Sequence, residues 1–558
     1  MDRRKLRSNF EVGTSRWAVR RAQWRALGLS DADMEKPKIA VINTSSELSS
    51  CFSHLDGVAV ELKAAIRAAG GVAFEVRTAA PSDFITSAGH RGGYILPTRD
   101  LIANDIEVQV EGAQLDGMVC LASCDKTSPG QLMAAARLNI PTIVVVCGYQ
   151  QSGEYQGRHV DIEEVFLAAG HVASGRVSVA DLTAMSDAAV RGPGVCAGMG
   201  TANSMHIVCE ALGMALPGSA PVRANSVKMM EHVRQAGRRI VEMVWDDLRP
   251  RDILTADAFI NATTVTLSLS ASINTVKHLQ AIAAEAQCPV DVYGLFASLA
   301  DGVPLIAAIR PNGERLIEEL EDAGGAAAVM KSLQPLLRTQ AMTVSGQNVG
   351  DNLRAVEIKD TEVIRGLDNP LARRPSIVIV RGSLAPDGGI VKLGVADDRS
   401  LQFSGIANIY GSREEALEGL AKGDIRAGQV VVLRGMGVKG GPGMSMASAL
   451  VFALDGAGLS EHVAVVTDGQ LSGLVNRGLV VGEISPEAAT GGPLALVQNG
   501  DEIRIDVARK VVDLQVSEAE LQARRARLAP PPRTEERGWL GIYREVVQPL
   551  SKGAGLLR

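Results

Sequence analysis

A chain of 558 residues is longer than one hydrophobic core usually supports, so two domains are expected. Hydrophobic residues make up 46% of it and 58 residues are glycine, which is typical of a globular α/β protein with tight turns. Aromatic residues are only 3% and the net charge is −6, which argues against nucleic-acid binding. The seven cysteines are irregularly spaced, and the charged start MDRRKLRSNF precedes no apolar run, so we expect a reduced, cytoplasmic protein without a signal peptide or membrane span.

The N-terminal part alternates between strand and helix patterns. KIAVIN, from Lys38, predicts a strand, HLDGVAVELKAAIRAAGG a helix that stops at Gly70 and Gly71, and VAFEVRT a second strand. DLIANDIEVQVEG predicts a helix and DGMVCLA a strand, and SPGQLMAAARLN predicts a helix with Ser128 as N-cap and Pro129 at its first position. PTIVVV closes the series. This alternation predicts a parallel sheet covered on both faces, with ligands beyond the carboxyl ends of its strands.

The pattern changes towards the C-terminus. Residues from about 200 to 340 are mainly helical in pattern, and LDNPLARRP predicts a linker. Beyond it, SIVIVRG, GIVKLG, QVVVLRG, HVAVVTDG and EIRIDV predict short strands between turns. We therefore predict an α/β protein with a doubly wound parallel-sheet domain over residues 1–370 and a β-rich, barrel-like domain over residues 375–558.

Three cysteines lie in Ser-, Gly- and Thr-rich segments that each lead into a predicted helix: Cys51, Cys124 and Cys196. A helix N-terminus presents unpaired N–H groups and partial positive charge, which stabilise thiolates and the anionic clusters they hold. Three converging thiolates would hold an iron–sulfur cluster with one position open to a substrate. The other cysteines lie inside apolar patterns and are expected in the core: Cys120, Cys147, Cys209 and Cys288.

Three further polar segments follow predicted strands or are rich in glycine. Cys124-Asp125-Lys126 is compatible with a buried cysteine beside a surface ion pair, or with three groups that turn towards one pocket. GMGVKGGPGM, around Lys439, offers backbone N–H groups and a cation suited to a carboxylate or phosphate, but it lacks nucleotide-loop spacing. Ser472 lies in the turn TDGQLSG, where a serine most often has no role beyond the turn.

Several long motifs resemble one family. CDKTSPGQLMAAARLNIP, CAGMGTANSM, GSLAPDGGIVK, KGGPGM, TDGQLSG and ISPEAATGGPLALV, in this order, are similar to the dihydroxy-acid and sugar-acid dehydratases, a group that also holds 6-phosphogluconate dehydratase. The resemblance runs from about Leu6 to about Leu521. It implies a homodimeric hydro-lyase that converts a 2,3-dihydroxy acid or sugar acid to a 2-keto acid.

The resemblance also implies two cofactors. Cys51, Cys124 and Cys196 would hold an iron–sulfur cluster, with [2Fe–2S] favoured and [4Fe–4S] also compatible. Magnesium would be held by Asp83, Asp125 and a carboxylated Lys126, because Mg²⁺ prefers hard oxygen donors and an ammonium beside it would be repelled.

The roles implied for the remaining site residues concern the substrate. Ser472, as an alkoxide, would remove the C2 proton, and Lys126 would act with it at the catalytic centre. Lys439, Gly440 and Gly441 would lie near the substrate carboxylate.

The chain departs from the family at the implied site. Met436 stands where the family usually has a glutamate that binds Mg²⁺, and a thioether is a poor ligand for that ion. Glu483 stands where the family often has histidine, and it could be a compensating acid. The departures favour an altered substrate or reaction, or a non-catalytic protein that keeps the cluster and binds a partner. A nucleotide-binding enzyme would need a Gly-rich fingerprint directly after a strand, and the sequence has none.

Overall fold

The computed structural model describes residues 5–89, 92–393, 401–441, 443–472, 477–528 and 536–556. Its N-terminal sheet consists of four strands: β1 (Lys38–Asn43), β2 (Val72–Arg77), β3 (Gly117–Ala122) and β4 (Thr142–Val146). They are parallel and lie in the order β2-β1-β3-β4. Strands β1, β3 and β4 are buried along their whole length, as expected for a parallel sheet covered on both faces. The strand order reverses between β1 and β3, which is where such sheets bind ligands.

Helices surround this sheet. The hairpin β5 (Gly153–Tyr155) and β6 (Arg158–Val160) follows it, and a π-helical turn spans Glu107–Glu111. The helices of this part are α1 (Ser15–Ala26), α2 (Asp31–Met34), α3 (Leu55–Ala68), α4 (Asp83–Thr86), α5 (Ile95–Ile106), α6 (Thr127–Leu138), α7 (Ile162–Gly170), α8 (Val179–Ala189), α9 (Thr201–Ala211), α10 (Val227–Asp246), α11 (Pro250–Ile253), α12 (Ala256–Ser268), α13 (Asn274–Glu285), α14 (Val292–Leu299), α15 (Ile317–Asp322), α16 (Gly325–Ser332) and α17 (Val349–Asn352). Helices α3 and α10 pack together against the sheet, while α6, in contact with α5 and α13, packs against β3 and β4.

The C-terminal part is built on a second, larger sheet. Its described strands are β7 (Ile377–Val380), β8 (Gly388–Lys392), β9 (Gln402–Tyr410), β10 (Gln429–Leu433), β11 (Ala464–Thr467), β12 (Leu479–Ser485), β13 (Glu502–Asp506) and β14 (Val511–Leu514). They lie in the order β14-β13-β9-β10-β11-β12-β8-β7, and the pairings from β9 to β12 are parallel. The two ends of the sheet approach each other, because Arg381 N donates to Lys510 O and Val512 N to Arg381 O, both at 2.9 Å. The sheet is therefore a nearly closed barrel. Its helices are α18 (Arg413–Lys422), α19 (Ser448–Gly456), α20 (Glu518–Arg527) and α21 (Gly538–Val546).

The predicted fold class is confirmed: a parallel α/β sheet is followed by a barrel-like β-rich part. The N-cap prediction for α6 was wrong, because the helix begins at Thr127 and Lys126 occupies the cap position. The hydroxyl of Thr127 accepts from Ser123 N at 2.9 Å and donates to Cys124 O at 2.8 Å, so the helix begins two residues earlier than predicted. In the described residues, no helix is long and apolar enough to span a bilayer. The domain boundary between residues 370 and 375 stays a prediction.

Candidate active site

The N-terminal sheet carries three groups of polar residues at the carboxyl ends of its strands. Cys51 follows β1, Asp83 follows β2, and Cys124 with Asp125 and Lys126 follows β3. Because β1 and β3 flank the point where the strand order reverses, the two cysteine loops meet there, and Ser123 Oγ donates to Cys51 O at 2.5 Å. Cys196 enters from the loop before α9, where Asn203 Nδ2 holds its carbonyl at 2.8 Å.

The barrel presents a second set of residues at the same kind of edge. Strands β9, β10 and β11 are parallel neighbours, so the segments that follow them emerge together. Arg413 follows β9, Met446 ends the loop after β10, and Ser472 follows β11. The backbone of Ser472 is fixed by Ser448, because Ser472 N donates to Ser448 Oγ at 2.7 Å.

A cavity of about 290 Å³ lies between these two edges. Its wall brings together five of the predicted site residues: Asp83, Cys124, Asp125, Cys196 and Ser472. It also contains residues that the sequence did not single out: Phe84, Phe166, Asn203, Arg413 and Met446. Cys51 and Lys126 are not part of the wall, but both are buried and neighbour residues that form it. Groups far apart in the sequence therefore share one cleft.

The three predicted thiols are close to one another. Interaction with the Cys51 thiol, followed by burial, raises the pKa of Cys124 well above its usual value. Burial, followed by the charge of Cys124, does the same to the pKa of Cys196. In the described part of the chain, only His159, Asp161 and Glu164 have three metal-ligating atoms that all lie within 4.8 Å of one another. At least one pair of the three thiols is therefore more than 4.8 Å apart, whereas the ligands of a single ion lie about 4 Å apart around bonds of roughly 2.3 Å.

Lys126 lies between the two predicted carboxylates. Its Nζ is 2.7 Å from Asp125 Oδ1 and 3.3 Å from Asp83 Oδ2, and its side chain is fully buried. Burial opposes the ammonium, but the charges of Asp125 and Asp83 outweigh it and raise the pKa of Lys126. Burial, then the charge of Asp125, raises the pKa of Asp83 well above its usual value. Burial also opposes ionisation of Asp125, but Lys126, His278 and Asp83 together outweigh it and lower the pKa of Asp125. Asp83 Oδ1 is buried without a hydrogen-bond partner.

His278 lies behind Asp125 and was not predicted. Its Nδ1 faces Arg99 Nη1 at 3.3 Å, and since a guanidinium only donates, Nδ1 must accept. Burial lowers the pKa of His278 well below its usual value, so the ring is neutral and its proton is on Nε2, 3.9 Å from Asp125 Oδ1. Arg99 is held in turn by Ala554 O at 2.7 Å. The C-terminal segment thus contacts Arg99, the neighbour of the His278 ring behind Asp125.

The two departures at Met436 and Glu483 lie near the cavity but not in its wall. Met436 is buried, and its Cβ packs against Gly469. Glu483 is buried in β12, and its Oε1 accepts from Lys277 Nζ at 2.5 Å. Its role as a compensating metal ligand stays a hypothesis, but one of its oxygens already has a cationic partner. The methionine that does line the cavity is Met446.

The glycine-rich loop around Lys439 binds a carboxylate of the protein itself. Lys439 N lies 3.0 and 3.1 Å from the two Glu487 oxygens, and Gly440 N donates to Glu487 Oε2 at 3.0 Å. Burial raises the pKa of Glu487 to about 7. Neither Lys439, Gly440 nor Gly441 is among the described residues that line the cavity. Their contact with a substrate carboxylate stays a prediction.

This combination of soft thiols, hard carboxylates and a facing hydroxyl between two parallel-strand edges is typical of a metal-dependent α/β enzyme. The family model "Dihydroxy-acid/6-phosphogluconate dehydratase N-terminal" matches residues 36–352, and its C-terminal counterpart matches residues 362–554. The chain is 42% identical over 553 residues to the dihydroxy-acid dehydratase of Methanococcoides burtonii, covering 98% of this chain and 99% of that one. It is 41% identical to that of Caldicellulosiruptor saccharolyticus and 42% to that of Pyrococcus abyssi, each over 96% of this chain and 97% of the relative. The chain therefore belongs to the dihydroxy-acid/6-phosphogluconate dehydratase family, a family of hydro-lyases, and the predicted resemblance is confirmed.

Proposed function

We propose that this protein dehydrates a 2,3-dihydroxy acid or sugar acid to a 2-keto acid. The observation that carries the proposal is the cavity, in which Ser472 from the barrel shares one wall with Asp83, Asp125 and Cys124 from the parallel sheet. The reaction removes a proton from C2 and hydroxide from C3, which leave together as water. The resulting enol tautomerises to the keto acid.

The donor groups fit two cofactors of different kinds. Cys51, Cys124 and Cys196 would hold an iron–sulfur cluster, because Cys124 interacts with both other thiols; [2Fe–2S] is favoured and [4Fe–4S] is the alternative. Asp83, Asp125 and a carboxylated Lys126 would hold Mg²⁺, which fits the unpartnered buried oxygen of Asp83. When bound, these groups supply Lewis acidity for the departing C3 hydroxyl and positive charge for the oxygens on C1 and C2.

The chain's own residues supply the proton transfer and the environment. Ser472 Oγ accepts the C2 proton, and its position is steadied by the backbone bond to Ser448. The neutral ring of His278 lies behind Asp125, with Nε2 3.9 Å from Asp125 Oδ1. The burial of Cys124 and Asp125 keeps water from the reacting end of the substrate.

The test is keto-acid release by anaerobically purified protein, with iron, sulfide and magnesium measured in the same sample. We expect Ser472→Ala to lower turnover by about 10²–10⁴-fold, the range for losing a general base, with iron and sulfide unchanged. Ser460→Ala is the matched control, because Ser460 bonds Asp455 away from the cavity wall. Full turnover by Ser472→Ala would refute the assigned base, and no keto acid from any dihydroxy or sugar acid would refute the function.

A second candidate is a cluster-bearing protein with altered chemistry or with binding only. Met436 favours it, because the implied magnesium-binding glutamate is missing and a thioether is a poor ligand for Mg²⁺. Protein that contains stoichiometric iron and sulfide, binds no magnesium and releases no keto acid would support this alternative. The homodimer and the cytoplasmic location remain predictions, and sedimentation velocity tests the former.

A further inference from the structure

Arg413 occupies a position in the barrel that corresponds to that of Ser472. Each residue lies just beyond the carboxyl end of a parallel strand, β9 for Arg413 and β11 for Ser472. These edges are where parallel sheets bind ligands. Arg413 is the one arginine or lysine among the described residues that line the cavity. A cation at this edge is therefore available to a ligand in the cavity.

The residues that line the cavity differ in exposure, so that one end of the cavity is more deeply buried than the other. Cys124 and Asp125, where the reaction is proposed to occur, are buried, and the side chain of Asp125 is 12% exposed. The side chain of Arg413 is 24% exposed, which places it nearer the solvent. Phe84, Phe166 and Met446 form an apolar wall that suits the carbon chain of a ligand. A substrate whose reacting carbons lie at the buried end would extend its other end towards Arg413.

The guanidinium is oriented and retains donor capacity. Its Nε and Nη2 donate to Glu414 Oε1 at 3.1 and 2.5 Å, and no hydrogen bond found in the described residues uses Nη1. Helix stability does not account for the residue. Arg413 is the first residue of α18, where the helix dipole disfavours a cation. Its ion pair with the exposed Glu414 side chain contributes little to stability.

We propose that Arg413 is a specificity-determining residue that binds an anionic group at the end of the substrate distant from the reacting carbons. The preferred substrate is then an acid with a second anionic group, a carboxylate or a phosphate, and not a simple alkyl dihydroxy acid. Planar guanidinium groups favour both of these anions through charge-assisted bonds. This inference rests on the proposed function for the placement of the reacting end.

The experiment compares three kinds of acid on wild-type holoenzyme and on Arg413→Met. The probes are 2,3-dihydroxy-3-methylbutanoate with an alkyl end, gluconate with a neutral hydroxylated end, and glucarate and 6-phosphogluconate with carboxylate and phosphate ends. We expect kcat/KM of the wild type to be highest for one of the last two, which also distinguishes the two anions. Arg413→Met should lower that value about 10–100-fold, mainly through KM, the effect of losing a bond to a charged group. The alkyl acid should change by less than about twofold, within the usual range for surface changes.

Lys422→Met is the matched control, because it removes a cation from the exposed end of the same helix. It should leave all four values unchanged, and Arg413→Lys should restore part of the loss. Equal losses for alkyl and anionic acids in Arg413→Met, or a wild-type preference for the alkyl acid, would overturn the inference. Calorimetric binding of the same acids separates this inference from the proposed function. Arg413-dependent binding without turnover overturns only the function, whereas turnover without Arg413 dependence overturns only the inference.

Discussion

The buried ion pair between Lys277 and Glu483 joins the two parts of the molecule. Lys277 lies on α13 and Glu483 on β12, and both side chains are fully buried. The Lys277 ammonium also donates to Asn274, whose Nδ2 donates to the cavity residue Thr201 at 2.9 Å. Removing one member leaves an uncompensated charge inside the protein, which costs about 3–5 kcal/mol. Replacing both by apolar residues of similar volume should cost less, because no charge remains buried.

The test uses Lys277→Met, Glu483→Leu and the double variant. Each single variant should lose about 3–5 kcal/mol of unfolding free energy, and the double variant less than about 2 kcal/mol. For a cooperative unit of 150–250 residues, the single losses correspond to roughly 6–20 °C in Tm by scanning calorimetry. Additive losses in the double variant, or single losses below about 1 kcal/mol, would refute the assigned pairing.

The pH dependence provides a second check. Burial lowers the pKa of Lys277 even with Glu483 present, so in Glu483→Leu the unpaired amine should release its proton and become neutral as pH rises. The defect of Glu483→Leu should therefore shrink between pH 6 and pH 9, an interval below the usual lysine pKa of about 10.4. A defect of Glu483→Leu that stays constant or grows over that interval would contradict the reasoning.

Three further outcomes are expected. Gly198→Ala should give protein with little iron, because a Cβ there would lie 1.9 Å from Oε1 of the buried Glu163 and the Cys196 loop would have to move away from that side chain. Iron content equal to that of the wild type would contradict this. Cys196→Ser should lose iron and sulfide while Cys209→Ala, in the buried core of α9, keeps both, and the elemental analysis of the two decides. Burial raises the pKa of Glu210 to about 7, so its ionisation should destabilise the fold as pH rises from about 4.5 to 7, and Glu210→Gln should flatten the dependence of Tm on pH over that interval.

The fold could be predicted where one local pattern decides the structure. The apolar runs KIAVIN, DGMVCLA and PTIVVV predict buried parallel strands, and they form β1, β3 and β4. The placement of Cys51, Cys124 and Cys196 in loops that lead into helices could be predicted for a related reason, since α3, α6 and α9 follow them. The predicted N-cap of α6 was wrong, because the helix already begins at Thr127, whose hydroxyl donates to the carbonyl of Cys124. One sequence does not reveal that contact.

The remaining site features depend on contacts between distant segments. Lys277 and Glu483 are 206 residues apart, and nothing local to either marks the other as its partner. Arg413 lies in SREEALEGLAK, which has the pattern of a capped surface helix. Only the pairing of the parallel strands β9 to β11 brings Arg413, the first residue of that helix, to the cavity. The amides of the Lys439 loop were expected to be open to substrate, but Glu487, 48 residues on, binds two of them.

Charge balance links the two events proposed at Lys126, namely carboxylation of its amine and binding of Mg²⁺ beside it. Without metal, burial and the charge of Asp125 raise the pKa of Asp83 and favour its neutral form, while the Lys126 ammonium lies beside the Asp125 carboxylate and balances it. Carboxylation of Lys126 would replace a cation by an anion, and with both aspartates ionised three negative charges would face one another away from water. Such an arrangement is strongly unfavourable unless a divalent cation enters at the same time. Carboxylation of Lys126 and magnesium binding should thus be one coupled event.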